Sequence, residues 1–361
     1  MNMSSAATDP RSIPARLNLL LAVLALTMSG WLWIALPLLL PALPALGWSL
    51  LIVVLATTFY WSLLHEGIHA VLLPDRRLND ALSRLLAIGF PAPFAVLRFG
   101  HLKHHQFNRT AIDRSEVFDP ALTTRSAAAW RYYPQLLIGL YASEVAALLL
   151  VWLPPAWLLR LAQRLPAEPG LPSLAQSLER QLLKPDTLRA MRLDSLMSMA
   201  LMTCSVWLYG THAWMLLLAL LGRGLLISLT DNAYHYATPL HAPGDDVRQA
   251  RQLDLPRWAS ALILHFNYHA THHRHPALPW SKLPAAASAQ DRQFAQPYVR
   301  ALLRQLRGPI ALKETPGRPK FSCPPRSLQA ARIRLRPSCR RAAWSRGPHP
   351  PRGSASRPWG R

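Results

Sequence analysis

Histidines gather at three places in this chain, and their spacing is that of metal ligands. His65 and His69 lie in HEGIH, His101, His104 and His105 in HLKHH, and His269, His272 and His273 in HATHH. A ninth, His235, sits in DNAYHY at the end of an apolar run. Imidazole is the commonest metal-binding side chain, and it is costly to hold at a membrane edge without a partner. Residues four apart share a helix face, so His65 and His69 can reach one ion. His101 and His104, three apart, also share a face, while the adjacent His105 points aside and can serve a neighbouring ion. His269, His272 and His273 repeat that geometry. The set therefore predicts two metals rather than one, in an imidazole shell that suits iron, copper, zinc or nickel.

Other residues near the clusters read differently. Glu66 is expected to accept a hydrogen bond from a ring nitrogen and fix its tautomer, and His265 and His275 flank the last cluster as further candidates for that supporting role. His212, His241 and His349 read as structural. HEGIH also matches the HExxH zinc-protease motif, with Glu66 as general base. An intramembrane protease of that kind needs one zinc and has no use for two HxxHH clusters. A histidine-rich metal carrier without catalysis is a further alternative.

These ligands need elements to carry them, and the sequence supplies long apolar helices. About half of the 361 residues are hydrophobic, and Trp31, Trp33, Trp48 and Trp61 flank or enter the first apolar stretches, as interfacial aromatics do. Spans are expected over about 17–40 and 47–73, with Pro41 and Pro44 between them, and over about 193–209 and 213–230, with Gly210 as the turn. A cleavable signal peptide is the competing reading of the first, but its apolar part is too long for a signal core. If every apolar segment crossed, His235 would face away from the first two clusters. The segment 134–159, interrupted by Glu144 and Pro154–Pro155, is therefore expected to lie in the interface or form a re-entrant hairpin. Scattered Arg and Lys over 74–133 place that stretch, and the site, on the cytoplasmic side. The expected fold is all-α: a multi-pass bundle of about four spans with a histidine-rich cap.

Charge and cysteine content exclude other classes. Only three cysteines occur and none forms a CxxC pair, which argues against a disulfide framework, a thiolate zinc site or an iron–sulfur cluster. The formal charge of +22 is concentrated in an acid-free tail from Gly317 onward. That tail brings no aromatic or folded nucleic-acid motif, so nucleic acid is not expected as a partner. The division expected is a polar 1–16, a membrane domain over 17–300, and a basic, disordered Arg/Pro-rich tail over 301–361.

The three clusters give the chain a resemblance to the membrane fatty acid desaturase superfamily, which includes related hydroxylases and carotenoid oxygenases. His65 and His69 match its first box, His101, His104 and His105 its second, and His269, His272 and His273 its third, within about 50–290. His235 matches an additional histidine found four residues beyond an Asn in several members. Here Asp231 takes the Asn position and Asn232 is shifted by one, which makes both candidates for groups near the metal. The HE of HEGIH is similar to the alkane-hydroxylase branch, while PALPWSKLP is similar to acyl-lipid desaturases. The resemblance implies a non-haem centre of two iron ions that uses O₂ as co-substrate and acts on an unactivated CH₂ of a fatty acyl lipid. It places the enzyme in a membrane, such as a bacterial inner membrane. It also implies a separate electron donor of ferredoxin or cytochrome type, for which Arg98, Lys103 and Arg109 are the expected docking cations.

Overall fold

The computed structural model describes residues 12–165, 171–240 and 249–315. Those residues are mostly helical with almost no strand, in keeping with the all-α expectation. The helices in chain order are α1 (Ala15–Leu39), α2 (Pro44–Leu55), α3 (Thr57–Ile68), α4 (Arg76–Gly89), α5 (Phe94–Phe107), α6 (Arg125–Leu150), α7 (Pro155–Ala162), α8 (Leu174–Gln181), α9 (Pro185–Tyr209), α10 (Ala213–Ala233), α11 (Arg257–Leu262), α12 (His269–Arg274) and α13 (Tyr298–Arg304). Strand is confined to two short parallel pairs: β1 (Val117–Phe118) with β4 (Ile310–Ala311), and β2 (Leu253–Asp254) with β3 (Gln296–Pro297).

Among the described residues, three stretches are long and apolar enough to cross a bilayer: α1, α6, and the 185–233 stretch that contains α9 and α10. The pairs α2–α3, bent by 46°, and α4–α5, bent by 100°, also qualify when each is taken as one unit. Gly210 breaks the 185–233 stretch at a φ of 49°, a conformation glycine adopts without Cβ strain, and α10 then returns along α9. The lower core sits at that turn, where Leu32, Trp33 and Leu36 pack with Leu50, Val53, Tyr209 and Leu216. The upper core joins Tyr60, Trp61, Leu64, Leu86, Phe90, Leu97, Ile227, Tyr234 and Phe266 just beneath the histidines. Outward leucines and valines of α1, such as Leu20 and Val23, stay exposed, as a lipid-facing surface requires.

Two expectations are corrected here. No re-entrant hairpin forms over 134–159. A single helix, α6, runs through Pro134 to Leu150, with a π-helical turn after the proline that accommodates its missing N–H. Pro154–Pro155 ends this helical run and opens the short α7 instead of folding a hairpin. Both ends of α6 nonetheless touch elements near the histidines: Tyr132 donates to the carbonyl of Gln305, and Ser195, near the start of α9, donates to the carbonyl of Leu148.

The second correction concerns the tail. Residues 301–315 are part of the folded unit: Ala301 and Gln305 are buried, and β4 pairs with β1. Tyrosine hydroxyls grip this segment, Tyr133 donating to the carbonyl of Leu306 and Tyr236 to that of Gly308. The remaining tail, 316–361, and residues 1–11 lie outside the described residues, as do His241 and His349.

Candidate metal centre

The end of α3 carries the first cluster, and its terminal carbonyls have no partners within the helix. Arg98 of α5 supplies them, donating from Nη2 to Gly67 O at 3.0 Å and from Nε to Ile68 O at 3.2 Å. Asn79 of α4 adds a bond to Gly67 O at 3.0 Å. Arg98 lies one turn before His101, so the same contact that caps HEGIH sets its position relative to HLKHH. Gly67 itself is required by close approach: a Cβ there would stand 2.0 Å from Ser83 Oγ and 2.8 Å from Ser83 Cβ.

The structure brings all nine predicted histidines together, in two groups. His65, His69, His101, His105 and His272 form one, and His104, His235, His269 and His273 the other; within each, the ligand nitrogens lie within 4.8 Å of one another. The division differs from the expected one. His101 shares a group with His105 rather than His104, and His269 shares one with His273 rather than His272. In each HxxHH cluster the residues four apart stay together and the middle histidine crosses to the other group. The groups are neighbours, with His105 stacked on His273 at 4.2 Å between ring centroids.

The ring nitrogens fit bound cations. Nε2–Nε2 distances are 3.0 Å for His101–His105 and His105–His272, 3.1 Å for His104–His235 and His235–His269, and 3.0 Å for His269–His273. Two ligands at right angles, each about 2.1 Å from one ion, stand about 3.0 Å apart. His65 Nε2 and His69 Nε2 are buried and lack any hydrogen-bond partner among the described residues, a cost that an ion would remove. Burial, with neighbouring rings adding to it, pushes His269, His272 and His273 well below the ordinary imidazole range, so these rings are neutral and offer lone pairs.

Sequence reasoning missed Asp113. Its Oδ2 lies 2.7 Å from His104 Nδ1, so the proton sits on Nδ1 and Nε2 faces the second group. Nothing in its spacing announces this, because the loop from Asn108 to Glu116 folds back through Arg109 at a φ of 66°. The expected supporting residues lie as follows. Glu66 accepts from the backbone N–H of Trp280 at 3.0 Å, so this carboxylate braces the 280 loop rather than a ring nitrogen. Trp280 Nε1 in turn donates to Asn18 of α1 at 2.9 Å. His265 pairs with Ser260 at 2.8 Å, outside both groups, and His275 belongs to neither group. Asn232 donates to Gln305 Oε1 at 2.8 Å and holds the C-terminal segment. Asp231 lines the cavity beside His104 and His235.

That cavity, about 460 Å³, has an apolar wall of Leu97, Leu136, Leu140 and Ala147 and a polar side that includes Glu144, Ser228 and Asp231. It touches His101, His104 and His235. Of the three expected docking cations, two are engaged internally. Arg109 is buried, donating to Glu116 at 2.6 Å and to the carbonyl of Thr238 at 2.9 Å, and Arg98 pairs with Asp80. Lys103 alone of the three keeps a partly exposed ammonium, bonded to Gln106.

Apolar helices that hold two adjacent polyhistidine groups beside a cavity with one apolar wall mark a membrane-type protein built for metal-dependent chemistry. The family model of fatty acid desaturases matches residues 42–304, and the chain belongs to that family. Membership makes it an oxidoreductase of the desaturase kind, and its apolar helices fit a membrane protein. The match spans all nine histidines. A search of curated proteins finds no match.

Proposed function

We propose that the protein is an O₂-dependent di-iron desaturase that acts on an unactivated CH₂ of a fatty acyl lipid. Its site would lie on the cytoplasmic face of a membrane. The observation that carries this reading is the right-angle spacing of the ring nitrogens in both groups, set against a cavity with an apolar wall. His65, His69, His101, His105 and His272 would hold one ion, and His104, His235, His269 and His273 the other. When bound, the irons would supply dioxygen activation and hydrogen removal from carbon.

The chain's own residues do the positioning. Asp113 keeps a proton on His104 Nδ1. Leu97, Leu136, Leu140 and Ala147 exclude water and lay a hydrocarbon beside His104 and His235. Electrons would come from a separate ferredoxin- or cytochrome-like carrier. The protease alternative loses its base, because Glu66 faces Trp280 and five imidazoles gather where one zinc site would be.

The test is lipid profiling of expressing cells beside metal analysis of the purified chain. Two irons per chain and new double bonds are expected. New hydroxyls would move the activity to the hydroxylase branch. A chain that binds a single zinc and leaves lipids unchanged would refute the proposal.

A further inference from the structure

The cavity beside the second histidine group is not a plain hydrocarbon slot. Glu144 on α6 is 8 % exposed and lines it, yet its Oε2 is sealed from solvent with no hydrogen-bond partner among the described residues. Ser228 on α10, 2 % exposed, lines the same cavity with its Oγ equally unpartnered. A purely apolar ligand would leave both groups unpaired, an arrangement native interiors avoid. Ser228 and Asp231 follow at i and i+3 on one face of α10, and His235 lies in the turn just after the helix.

We propose that this cavity takes a hydrocarbon bearing a hydroxyl group, which Glu144 and Ser228 receive on the side of the cavity away from its apolar wall. The proposal rests on the reading of the cavity as the lipid site and narrows the class of lipid. A hydroxyl both donates and accepts, matching a carboxyl group together with a serine that can donate. An ammonium group fits less well. Arg114 lines the cavity, Arg109 there is neutralised by Glu116, and an ammonium, unlike a hydroxyl, cannot accept from Ser228. The nearby cation Arg223 stands 5.6 Å from the Tyr60 ring, 5.0 Å from Phe90 and 5.9 Å from Tyr141, its Nε is itself without a hydrogen-bond partner among the described residues, and Glu144 Oε2 takes no hydrogen bond from it.

The experiment measures binding of a long-chain alkane, the corresponding primary alcohol and the corresponding alkylammonium to the purified metal-loaded enzyme in lipid nanodiscs. The wild type is expected to bind the alcohol at least about 10-fold more tightly than the alkane, since a site built around a substrate hydroxyl rejects the analogue lacking it. Glu144→Leu should abolish that preference without weakening the alkane, and Glu144→Gln, which keeps an acceptor, should retain most of it. Ser228→Ala should give a smaller loss in the same direction, and metal content reports folding in every variant. Equal binding of alkane and alcohol by the wild type, tighter binding of the ammonium, or uniform weakening in Glu144→Leu would overturn the inference and leave the desaturase reading standing. If no probe binds a chain that holds its metals, the inference falls together with the reading of this cavity as the lipid site.

Discussion

Removing the Asp113 carboxylate should empty one metal position before the other. Asp113 Oδ2 stands 2.7 Å from His104 Nδ1, and neither side chain is more than about a third exposed, with His104 at 19 % and Asp113 at 33 %. Losing a partner that orients a ligating imidazole costs about 10–100-fold in metal affinity. That corresponds to about 1.4–2.8 kcal/mol. The loss falls on the group that has four histidines, whereas the five-histidine group takes nothing from Asp113. Chelator titration of the purified chain, with metal counted per chain, should show Asp113→Ala releasing one ion at roughly 10–100-fold lower chelator strength than the wild type. Asp113→Asn, which keeps an acceptor oxygen, should fall between. If both variants release metal along the wild-type curve, or both ions leave together and equally early, the assignment of His104 to the four-histidine group is wrong.

Three further outcomes follow from the same geometry. Arg109→Met leaves Glu116 as a buried, unpaired charge, so it should cost about 3–5 kcal/mol, seen as a lower thermal midpoint; an unchanged midpoint would show that the pair is dispensable. Gly67→Ala drives a Cβ into Ser83 and should loosen the α3–α4 contact, lowering metal content, whereas pairing it with Ser83→Gly should restore part of the loss; a metal-replete single variant would contradict this. Acidification should release the metals. His269, His272 and His273 are held neutral when folded, so below about pH 6.5 the unfolded chain takes up more protons and stability falls with pH, by up to about 1.4 kcal/mol per pH unit for each ring. Above that pH nothing is lost. A thermal midpoint that stays flat from about pH 8 to about pH 5 would refute this.

The histidine clusters were legible in the sequence because their spacing is local, but their division between two groups was not. A helix turns about 100° per residue, so positions four apart diverge by about 40° and positions three apart by about 60° the other way. Both fall on one broad face, and only the neighbouring helices decide that His104 leaves His101 and His105. The long apolar helices and the Gly210 turn were equally plain. Asp113 was hidden because a backfolded loop delivers it. Ala301 and Gln305 were read as tail because their stretch is basic, and only tyrosines from distant helices reveal that their backbone is packed. Glu144 looked like a flaw in an apolar run until the cavity it lines was seen.

The strap formed by residues 305–311 carries a consequence for biogenesis. Tyr132, Tyr133 and Tyr236 clasp its carbonyls and β1 receives its strand, yet it leaves the ribosome after all nine histidines of the two groups have been made. The cap therefore cannot be fastened until His273 and all its predecessors are already outside, which leaves an interval during synthesis when ions can enter a nest that is complete but still ajar.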